Sequence, residues 1–306
     1  MKIISHLNEY QPADAASITI GKFDGIHRGH RELIKETVRF AKEENAAGRP
    51  TVSMVIALDS GRDALLTPEE KRRLLEELEV DVLAAVPIDK TFMATPAEEF
   101  VKQTLAEHLH CTHITVGEDF RFGWQRAGDG ALLKKLEETY GYSTVVIPEV
   151  YWDGQIISST RIREAVSLGR MEDAEAMLGY AYSVSGNVVH GRSLGRTIGV
   201  PTANFVPEPH KLLPPRGVYF VRTELEGRNV IGMSNIGVKP TVGGETMGVE
   251  TCFFDYSGDL YGKDLTVELL HYSRPEKRFA SFEELTARLQ KDEEETRAYF
   301  SEEGRG

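Results

Sequence analysis

Residues 17–30 read SITIGKFDGIHRGH, and this stretch decides the fold of the first half of the chain. Its first four residues are a β-branched run typical of a buried strand, and residues 29–44 carry the period of an amphipathic helix. The glycines between them allow a tight turn. A strand, a glycine-rich turn and a helix in this order predict a β–α unit of a parallel sheet, which binds ligands where its strands end.

The same alternation continues to residue 178. It predicts strands at residues 51–56, 81–86, 113–116 and 143–147, and helices at 68–78, 100–109, 160–168 and 171–178. Thr-Pro-x-Glu sequences at Thr67 and Thr95 each predict a capping box with proline in the first turn. Together these patterns predict an α/β domain with a mostly parallel sheet over residues 1–180.

After residue 180 the helical period disappears until residue 282. The pattern predicts short strands at residues 182–190, 217–225, 230–235, 248–254 and 265–270, and a charged helix at 282–300. Consecutive strands without intervening helices predict a small antiparallel β-barrel domain over residues 181–306.

Composition limits the classes of function. The chain has 306 residues and a net charge of −12, from 36 Lys and Arg against 48 Asp and Glu, which argues against binding of nucleic acid through a broad basic face. Cys111 and Cys252 are far apart, so neither a disulfide framework nor a thiolate zinc site is expected. The first residues lack a signal-peptide pattern, and no apolar stretch is long enough to span a membrane. We therefore expect a protein of a reducing cytoplasm that binds neither nucleic acid nor membranes; small anionic substrates, which need only a local positive site, are still allowed.

An HxGH motif, His27 to His30, lies where the first predicted helix begins. A helix N-terminus offers unpaired N–H groups to phosphate, and Gly25 and Gly29 let an anion approach the backbone closely. The two histidines can donate hydrogen bonds to phosphate oxygens, as transfer of an adenylyl group requires. For this motif alone, the alternative is that the histidines merely cap the helix.

Residues 157–163 read ISSTRIR at a second strand-to-helix turn of the same domain. Ser158, Ser159 and Thr160 offer hydroxyls and Arg163 a guanidinium group, which suit the β- and γ-phosphates of a nucleotide. Alone, such a sequence is more often an N-cap. The two motifs together, at the two ends of one predicted α/β domain, indicate a nucleotide-binding site.

Residues 186–204 read GNVVHGRSLGRTIGVPTAN and form the densest motif in the chain. Its glycines allow a flexible flap to lie against a triphosphate, and Arg192 and Arg196 place positive charge there. Thr202 and Asn204 offer the oxygen ligands that Mg²⁺ prefers. The alternative is a glycine-rich hairpin followed by a polar strand.

These motifs resemble those of one known family. GKFDGIHRGH at residues 21–30, VGEDFRFG at 116–123 and ISSTRIR are similar to the adenylyltransferase module of bacterial bifunctional riboflavin kinase/FAD synthetases, and residues 186–204 resemble their riboflavin kinase module. The resemblance implies an α/β Rossmann-like HxGH nucleotidyltransferase domain that joins FMN to ATP, giving FAD and pyrophosphate. It also implies that the antiparallel β-barrel domain phosphorylates riboflavin to FMN with ATP.

By matching position, the resemblance implies three catalytic residues. His27 and His30 would act on the phosphates of the adenylyl transfer, and Glu250 would be the general base of the kinase, its alternative being an exposed strand carboxylate. Thr202 and Asn204 would hold the Mg²⁺ that accompanies ATP, whereas the flavins are substrate and product. The implied nucleotide- and flavin-binding residues are Gly21, Phe23, Asp24, Gly25, Asp119, Ser158, Ser159, Thr160, Arg163, Gly186, His190, Gly191, Arg196, Thr202 and Asn204.

One stretch departs from the family pattern. Where this family usually has F-x-P-H-P, residues 56–61 read IALDSG. Either this loop can vary because the other motifs supply the phosphate contacts, or the chain is a monofunctional riboflavin kinase with a degraded N-terminal nucleotidyltransferase domain. A third hypothesis is a flavin-binding regulator without turnover. Glu250 and the PTAN sequence argue against it, since a binding protein needs neither a base nor a metal clamp.

Overall fold

The computed structural model of the chain describes residues 1–59, 64–87, 94–189, 202–241 and 244–302. The chain divides into two compact units, Met1–Ser159 and Thr160–Gly306. Each unit has its own six-stranded sheet and its own buried core. Among the helices of the described ranges, none is both long and apolar enough to cross a membrane.

The first unit alternates strands and helices as the sequence predicts. Its elements are β1 (Lys2–Ile4), β2 (Ala15–Gly21), α1 (Arg28–Ala46), β3 (Thr51–Asp59), α2 (Pro68–Glu77), β4 (Val82–Pro87), α3 (Ala97–Glu99, continued by a π-helix over Phe100–His108), β5 (Cys111–Gly117), α4 (Gly130–Tyr140), β6 (Ser143–Ile147) and the hairpin of β7 (Tyr151–Trp152) and β8 (Gln155–Ile156).

All neighbouring strands of the first sheet are parallel, in the order β1-β4-β3-β2-β5-β6. The chain moves from β2 to one side of the sheet and later returns to place β5 on the other side. Such a reversal opens a crevice at the carboxyl ends of the two central strands, where open α/β sheets bind ligands. The Rossmann-like prediction is therefore confirmed, and the HxGH turn follows β2 directly.

Helix α1 and the central strands show why this sequence folds in this way. Ile18, Met54 and Ile114 lie on one face of the sheet and Val55 lies on the other, and all four are fully buried because a parallel sheet is covered on both faces. The apolar stripe of α1, which includes Ile34 and Val38, is buried as well.

The second unit begins within a helical segment. Its elements are α5 (Ser159–Ser167, which starts one residue before the boundary), α6 (Met171–Leu178), β9 (Ser183–Asn187), β10 (Thr202–Phe205), β11 (Gly217–Leu225), β12 (Arg228–Thr241), β13 (Gly244–Phe253), β14 (Asp264–Arg274) and α7 (Phe282–Glu302).

The second sheet is antiparallel throughout, in the order β10-β13-β12-β11-β14-β9. Its two edge strands approach each other, since the Val189 N–H just after β9 donates to the Asn204 carbonyl of β10 over 2.8 Å. The sheet is thus a nearly closed barrel, which confirms the prediction of a small antiparallel β-barrel.

The two faces of the barrel wall differ in character. Tyr219, Ile236, Val249 and Thr251 point inward and are fully buried. The alternate residues point outward, where part of the wall is covered by α7. Leu289 of α7 packs there on a cluster of Val218, Met233, Cys252 and Phe254.

Two local predictions meet different outcomes. The capping box at Thr67 is confirmed: Thr67 Oγ1 accepts the Glu70 N–H over 3.2 Å, and Glu70 Oε2 accepts the Thr67 N–H over 2.9 Å. The capping box at Thr95 is wrong, because Pro96 is the N-cap of α3 and offers no side-chain acceptor. The helix expected at residues 100–109 is present, but with π-helical hydrogen bonding.

Candidate active sites

His27 occupies the N-cap of α1, so the HxGH motif does cap a helix. His27 Nδ1 accepts the backbone N–H of His30 over 3.4 Å, and the two imidazole rings stack with centroids 3.6 Å apart. Because Nδ1 accepts, the proton of neutral His27 lies on Nε2, which is then a hydrogen-bond donor. Capping the helix and donating to a phosphate are therefore compatible roles for this ring.

Both histidines are neutral at pH 7. Burial lowers the pKa of His27 to about 4. Burial, reinforced by His27 and the charge of Lys71, lowers the pKa of His30 well below its usual value. His30 Nδ1 is buried and has no hydrogen-bond partner among the described residues, the kind of orphaned polar atom that functional sites retain.

The turn between β2 and α1 is strained. Phe23 and Ile26 have φ values of 45° and 34°, although both are non-glycine residues and fully buried, and Gly25 has φ 84°. Such conformations cost of order 1–3 kcal/mol each and persist only when their surroundings hold them. Two hydrogen bonds of Asp24 fix the turn in this conformation. Asp24 Oδ1 accepts the Leu65 N–H over 2.9 Å, and the Asp24 carbonyl accepts Ser159 Oγ–H over 2.7 Å.

That last bond brings Ser159, the last residue of the first unit, against the HxGH turn. Ser158 and Ser159 are half-buried at the end of the first unit, and Ser159 is the first residue of α5. Thr160 and Arg163 follow in the first two turns of α5, within the second unit. Ser158, Ser159 and Thr160 thus lie at, or just before, the N-terminus of α5, and Arg163 lies one turn further along the helix.

The remaining predicted residues of the first unit lie along the carboxyl edge of its sheet. Gly21 ends β2, and a side chain there would meet the Phe23 ring at 3.3 Å. Asp119 is exposed, two residues beyond the end of β5. Since Thr19 of β2 pairs with Thr115 of β5, the two strands end at the same level, and both turns open on the same crevice.

The stretch that departs from the family pattern is largely strand. Ile56 and Ala57 are buried in β3 and pair with Ala84 and Ala85 of β4. Residues 60 and 61 lie outside the described part of the chain.

The predicted kinase residues form a hydrogen-bonded chain on the outer face of the barrel. Thr202 Oγ1 donates to Glu250 Oε1 over 3.1 Å, and Asn204 Nδ2 donates to Thr202 Oγ1 over 3.3 Å. The sheet register brings the three side chains to one face, because Asn204 of β10 lies directly opposite Glu250 of β13 and Thr202 lies two residues before Asn204. All three side chains are half-buried.

The donor set of this group fits Mg²⁺. Asn204 directs its amide nitrogen to Thr202, which leaves the amide oxygen as its metal-binding atom, and Thr202 Oγ1 is a second hard oxygen. Within the described residues, no group of three His, Cys, Asp or Glu could hold a metal ion. A cation bound by Thr202 and Asn204 would therefore share its coordination with phosphate oxygens and water, as Mg²⁺ commonly does.

Gly186, predicted as a flap residue, lies inside β9 and is closely packed. A Cβ atom at this position would lie 2.6 Å from the Phe205 ring and 2.9 Å from the Val206 carbonyl. His190, Gly191 and Arg196, which were predicted as further binding residues, lie outside the described residues.

Sequence reasoning did not single out Asn235, which lies on the other side of Glu250. Asn235 of β12 is the direct partner of Glu250, and its Nδ2 donates to Glu276 Oε1 over 3.1 Å. Only the strand register brings these residues together, so no spacing in the sequence could have indicated it.

Comparison with known proteins gives two family matches and several relatives over nearly the whole length. The FAD synthetase family matches residues 10–161, and the riboflavin kinase family matches residues 178–300. The bifunctional riboflavin kinase/FMN adenylyltransferase of Escherichia coli strain K12 is 38% identical over 98% of this chain and 98% of its own. The Haemophilus influenzae protein of that name is 35% identical over 98% of this chain and 100% of its own.

A solved structure shows the same fold. The crystal structure of a protein described as a macrolide-efflux protein from Streptococcus pneumoniae superposes with a TM-score of 0.83 and 30% sequence identity, over 97% of this chain and 99% of that chain. With two domain families in this order and relatives aligned from end to end, the chain belongs to the family of bifunctional riboflavin kinase/FMN adenylyltransferases.

Proposed function

We propose that the two sites catalyse successive steps of flavin cofactor synthesis, with Glu250 as the base of the first step and His27 and His30 as hydrogen-bond donors to the phosphates of ATP in the second. The barrel phosphorylates riboflavin to FMN, and the α/β domain adenylylates FMN to FAD with release of pyrophosphate. The observation that carries this function is that residues 10–161 match one enzyme family and residues 178–300 match the other, each range with its own candidate phosphate-binding residues. The bifunctional relatives favour it over a kinase with a degraded first domain.

In the kinase step, Glu250 accepts the proton of the ribityl 5′-hydroxyl as that oxygen attacks the γ-phosphorus of ATP. The O–H bond breaks, the new P–O bond forms in line, and ADP leaves. Thr202 supports this role because its hydroxyl holds Glu250 Oε1 in place. A fixed carboxylate loses little entropy when it meets the reacting hydroxyl.

Mg²⁺ entering with ATP would neutralise the charge that develops on the β- and γ-phosphates. Thr202 Oγ1 and the Asn204 amide oxygen are the atoms of this chain that would hold it. Of the four glycines of the predicted flap, only Gly186 lies in the described residues, and its packing supports a structural role in β9.

In the adenylyl transfer, the FMN phosphate attacks the α-phosphorus of ATP and pyrophosphate leaves. Neutral His27 can donate through Nε2 to an α-phosphate oxygen as charge shifts onto the leaving group. The N-termini of α1 and α5, with Ser158, Ser159, Thr160 and Arg163, suit the phosphates that depart. Phe23, Asp24 and Gly25 hold the turn in the shape that presents the histidines.

We place the boundary between the catalytic domains near residue 180, so that α5, which carries most of the second phosphate motif, and α6 belong to the first domain. The acidic chain is expected to act in the cytoplasm on riboflavin, FMN and ATP, without nucleic acid or a membrane.

The test is product analysis by chromatography after incubation with riboflavin, ATP and Mg²⁺. We expect FMN to rise first and FAD to follow. FMN without FAD, even at high FMN and ATP, would show that the replacement of F-x-P-H-P has silenced the first domain. A chain that binds riboflavin and forms neither product would be a regulator.

A further inference from the structure

We propose that Asp292 of α7 is a positioning residue for the kinase step, acting on Glu250 through Arg274, Glu276 and Asn235. The inference deepens the function proposed above and rests on Glu250 being the kinase base. Asp292 lies on the C-terminal helix, 42 positions from Glu250 in the sequence.

Asp292 is a buried carboxylate held by two arginines. Its side chain is fully buried, whereas the side chains of Arg274 and Arg288 keep 17% and 25% of their exposure. Arg274 binds it with two parallel bonds, Nε to Oδ1 at 3.0 Å and Nη2 to Oδ2 at 2.6 Å, and Arg288 Nε donates to Oδ1 over 2.9 Å. A buried ion pair is a costly way to attach a helix compared with apolar packing, and what it adds is a fixed geometry.

Arg274 reaches this helix because β14 carries a bulge. Tyr272 pairs with Tyr219, and its ring packs on the inward-facing Tyr219 ring at 5.1 Å. Two residues later, regular alternation would point Arg274 the same way. The register shift between Val218 and Tyr219 instead pairs Arg274 with the outward-facing Val218. A β-bulge re-aims a side chain in this manner.

The bulge places Arg274 on the same rung of the sheet as the proposed base. Direct cross-strand partners run from one strand to the next across five strands, and partners of this kind share one face of a sheet. In spatial order the rung is Asn204, Glu250, Asn235, Val218 and Arg274.

Glu276 connects the segment that follows Arg274 to Asn235, the central residue of the rung. Two residues beyond Arg274, Glu276 Oε1 accepts the Asn235 Nδ2–H over 3.1 Å. The Glu276 carboxylate lies over Gly237 of β12, where any side chain would collide with it. The segment after β14 therefore folds back across β12, next to the partner of Glu250.

This arrangement matters for phosphoryl transfer, in which the protein acts mainly through positioning and charge neutralisation. A displacement of about 1 Å at the reacting group can cost on the order of 100-fold in rate. Asn235 neighbours Glu250 on one side as Asn204 does on the other. If the Arg274–Asp292 contact were lost, Glu276 would no longer hold Asn235 in place beside Glu250. Neither Asp292 nor Glu276 is proposed to contact substrate or metal.

The test compares Asp292→Asn, Glu276→Gln and the double variant with the parent, by steady-state kinetics of FMN formation. The control is Asp255→Asn. It removes an exposed ion pair between Asp255 Oδ2 and Arg297 Nη1 of the same helix, 2.8 Å long and away from the rung. FAD formation from FMN in the first domain provides an independent rate on the same protein.

We expect Asp292→Asn to lower the kinase kcat about tenfold, with the KM for ATP within about twofold of the parent. Glu276→Gln should lower kcat in the same sense, and the double variant should be no worse than Asp292→Asn alone, since the two residues act along one path. Asp255→Asn should keep the parent kcat. Glu276 is exposed, so its variant tests the path even if Asp292→Asn fails to fold.

Two results would overturn the proposal. Asp292 would be merely structural if its variant lost thermal stability but kept the parent kcat below its melting temperature, or if the two substitutions lowered kcat additively. Glu250→Gln, measured in parallel, separates the two levels: FMN formation at the parent rate in that variant would overturn the role of Glu250 as well, whereas its loss leaves that role intact whatever Asp292 does.

Discussion

At the scale of single residues, the Thr202 hydroxyl lies between the proposed base, Glu250, and the other proposed metal ligand, Asn204. It donates to Glu250 and accepts from Asn204. Thr202→Val keeps the shape and removes the hydroxyl, and a hydrogen bond to a charged group is worth about 1.5–3 kcal/mol. We expect the initial rate of FMN formation at saturating riboflavin, ATP and Mg²⁺ to fall about 10- to 100-fold.

Thr202→Ser is the matched control, because it restores the hydroxyl on a smaller side chain. It should form FMN at close to the parent rate, and both variants should form FAD from supplied FMN as the parent does. Equal FMN rates in the valine and serine variants would show that the hydroxyl is not needed.

The buried histidines of the first unit predict a pH dependence of its stability. Folding lowers the pKa of His27 from 6.5 to about 4, and it lowers the pKa of His30 and His113 too, in each case chiefly by burial. The unfolded chain therefore binds more protons below pH 6.5, so the free energy of unfolding falls as the pH drops from 6.5 towards 4. For His27 alone the full loss is at most about 3 kcal/mol.

Tryptophan fluorescence can follow this unit selectively, since Trp124 and Trp152 both lie in it and the chain has only these two. Urea unfolding should show a lower free energy of unfolding at pH 5 than at pH 7, with no further gain between pH 7 and 8 from these groups. His30→Gln, which cannot take up the proton, should show a weaker dependence. An unfolding free energy that stays constant from pH 7 to 5 would contradict the burial of neutral imidazoles.

At the scale of elements, local sequence signals succeed where a helix depends on its own first turn. Thr67 and Glu70 satisfy each other's backbone N–H groups, so α2 begins where its sequence indicates. The similar sequence at Thr95 does not behave in this way. Helix α3 starts one residue later and continues with π-helical bonding through Phe100–His108, a choice that local spacing does not reveal.

Strand β9 offers a second test at this scale. An alanine at Gly186 would press on the Phe205 ring and the Val206 carbonyl, and overpacking of this kind costs about 1–3 kcal/mol. We expect Gly186→Ala to lower the melting temperature of the barrel, measured by circular dichroism, while the kinase keeps its kcat at low temperature. Ser183→Ala in the same strand is the control for the melting temperature. If the variant kept the melting temperature of the parent but had a reduced kcat, Gly186 would act in the nucleotide-binding flap, as the sequence predicts, and not in packing.

The rung around Glu250 shows why part of the site could not be predicted. The motifs identify Glu250, Thr202 and Asn204 one by one, but the pairing of Asn235 with Glu250 depends on register, and the direction of Arg274 depends on a bulge. Period-two alternation cannot reveal either feature, because a one-residue shift turns a side chain to the opposite face.

At the scale of the whole molecule, two folded units are proposed to catalyse two consecutive reactions. Strand–helix alternation in the first half and consecutive strands in the second predict the two architectures, because each follows from the periodicity of its own residues. Separate cores imply that the loss of one active site need not disturb the other.

The most direct test of the two-site function combines Glu250→Gln with His30→Ala as two separate proteins. Supplied with riboflavin, ATP and Mg²⁺, Glu250→Gln should form neither flavin nucleotide, yet it should make FAD from added FMN. His30→Ala should accumulate FMN and make FAD about 10²- to 10³-fold more slowly than the parent, the usual cost of losing a donor to developing phosphate charge. An equimolar mixture should make FAD from riboflavin, because FMN diffuses from one protein to the other. FAD made from riboflavin at the parent rate by either variant alone would contradict the assignment of one reaction to each site.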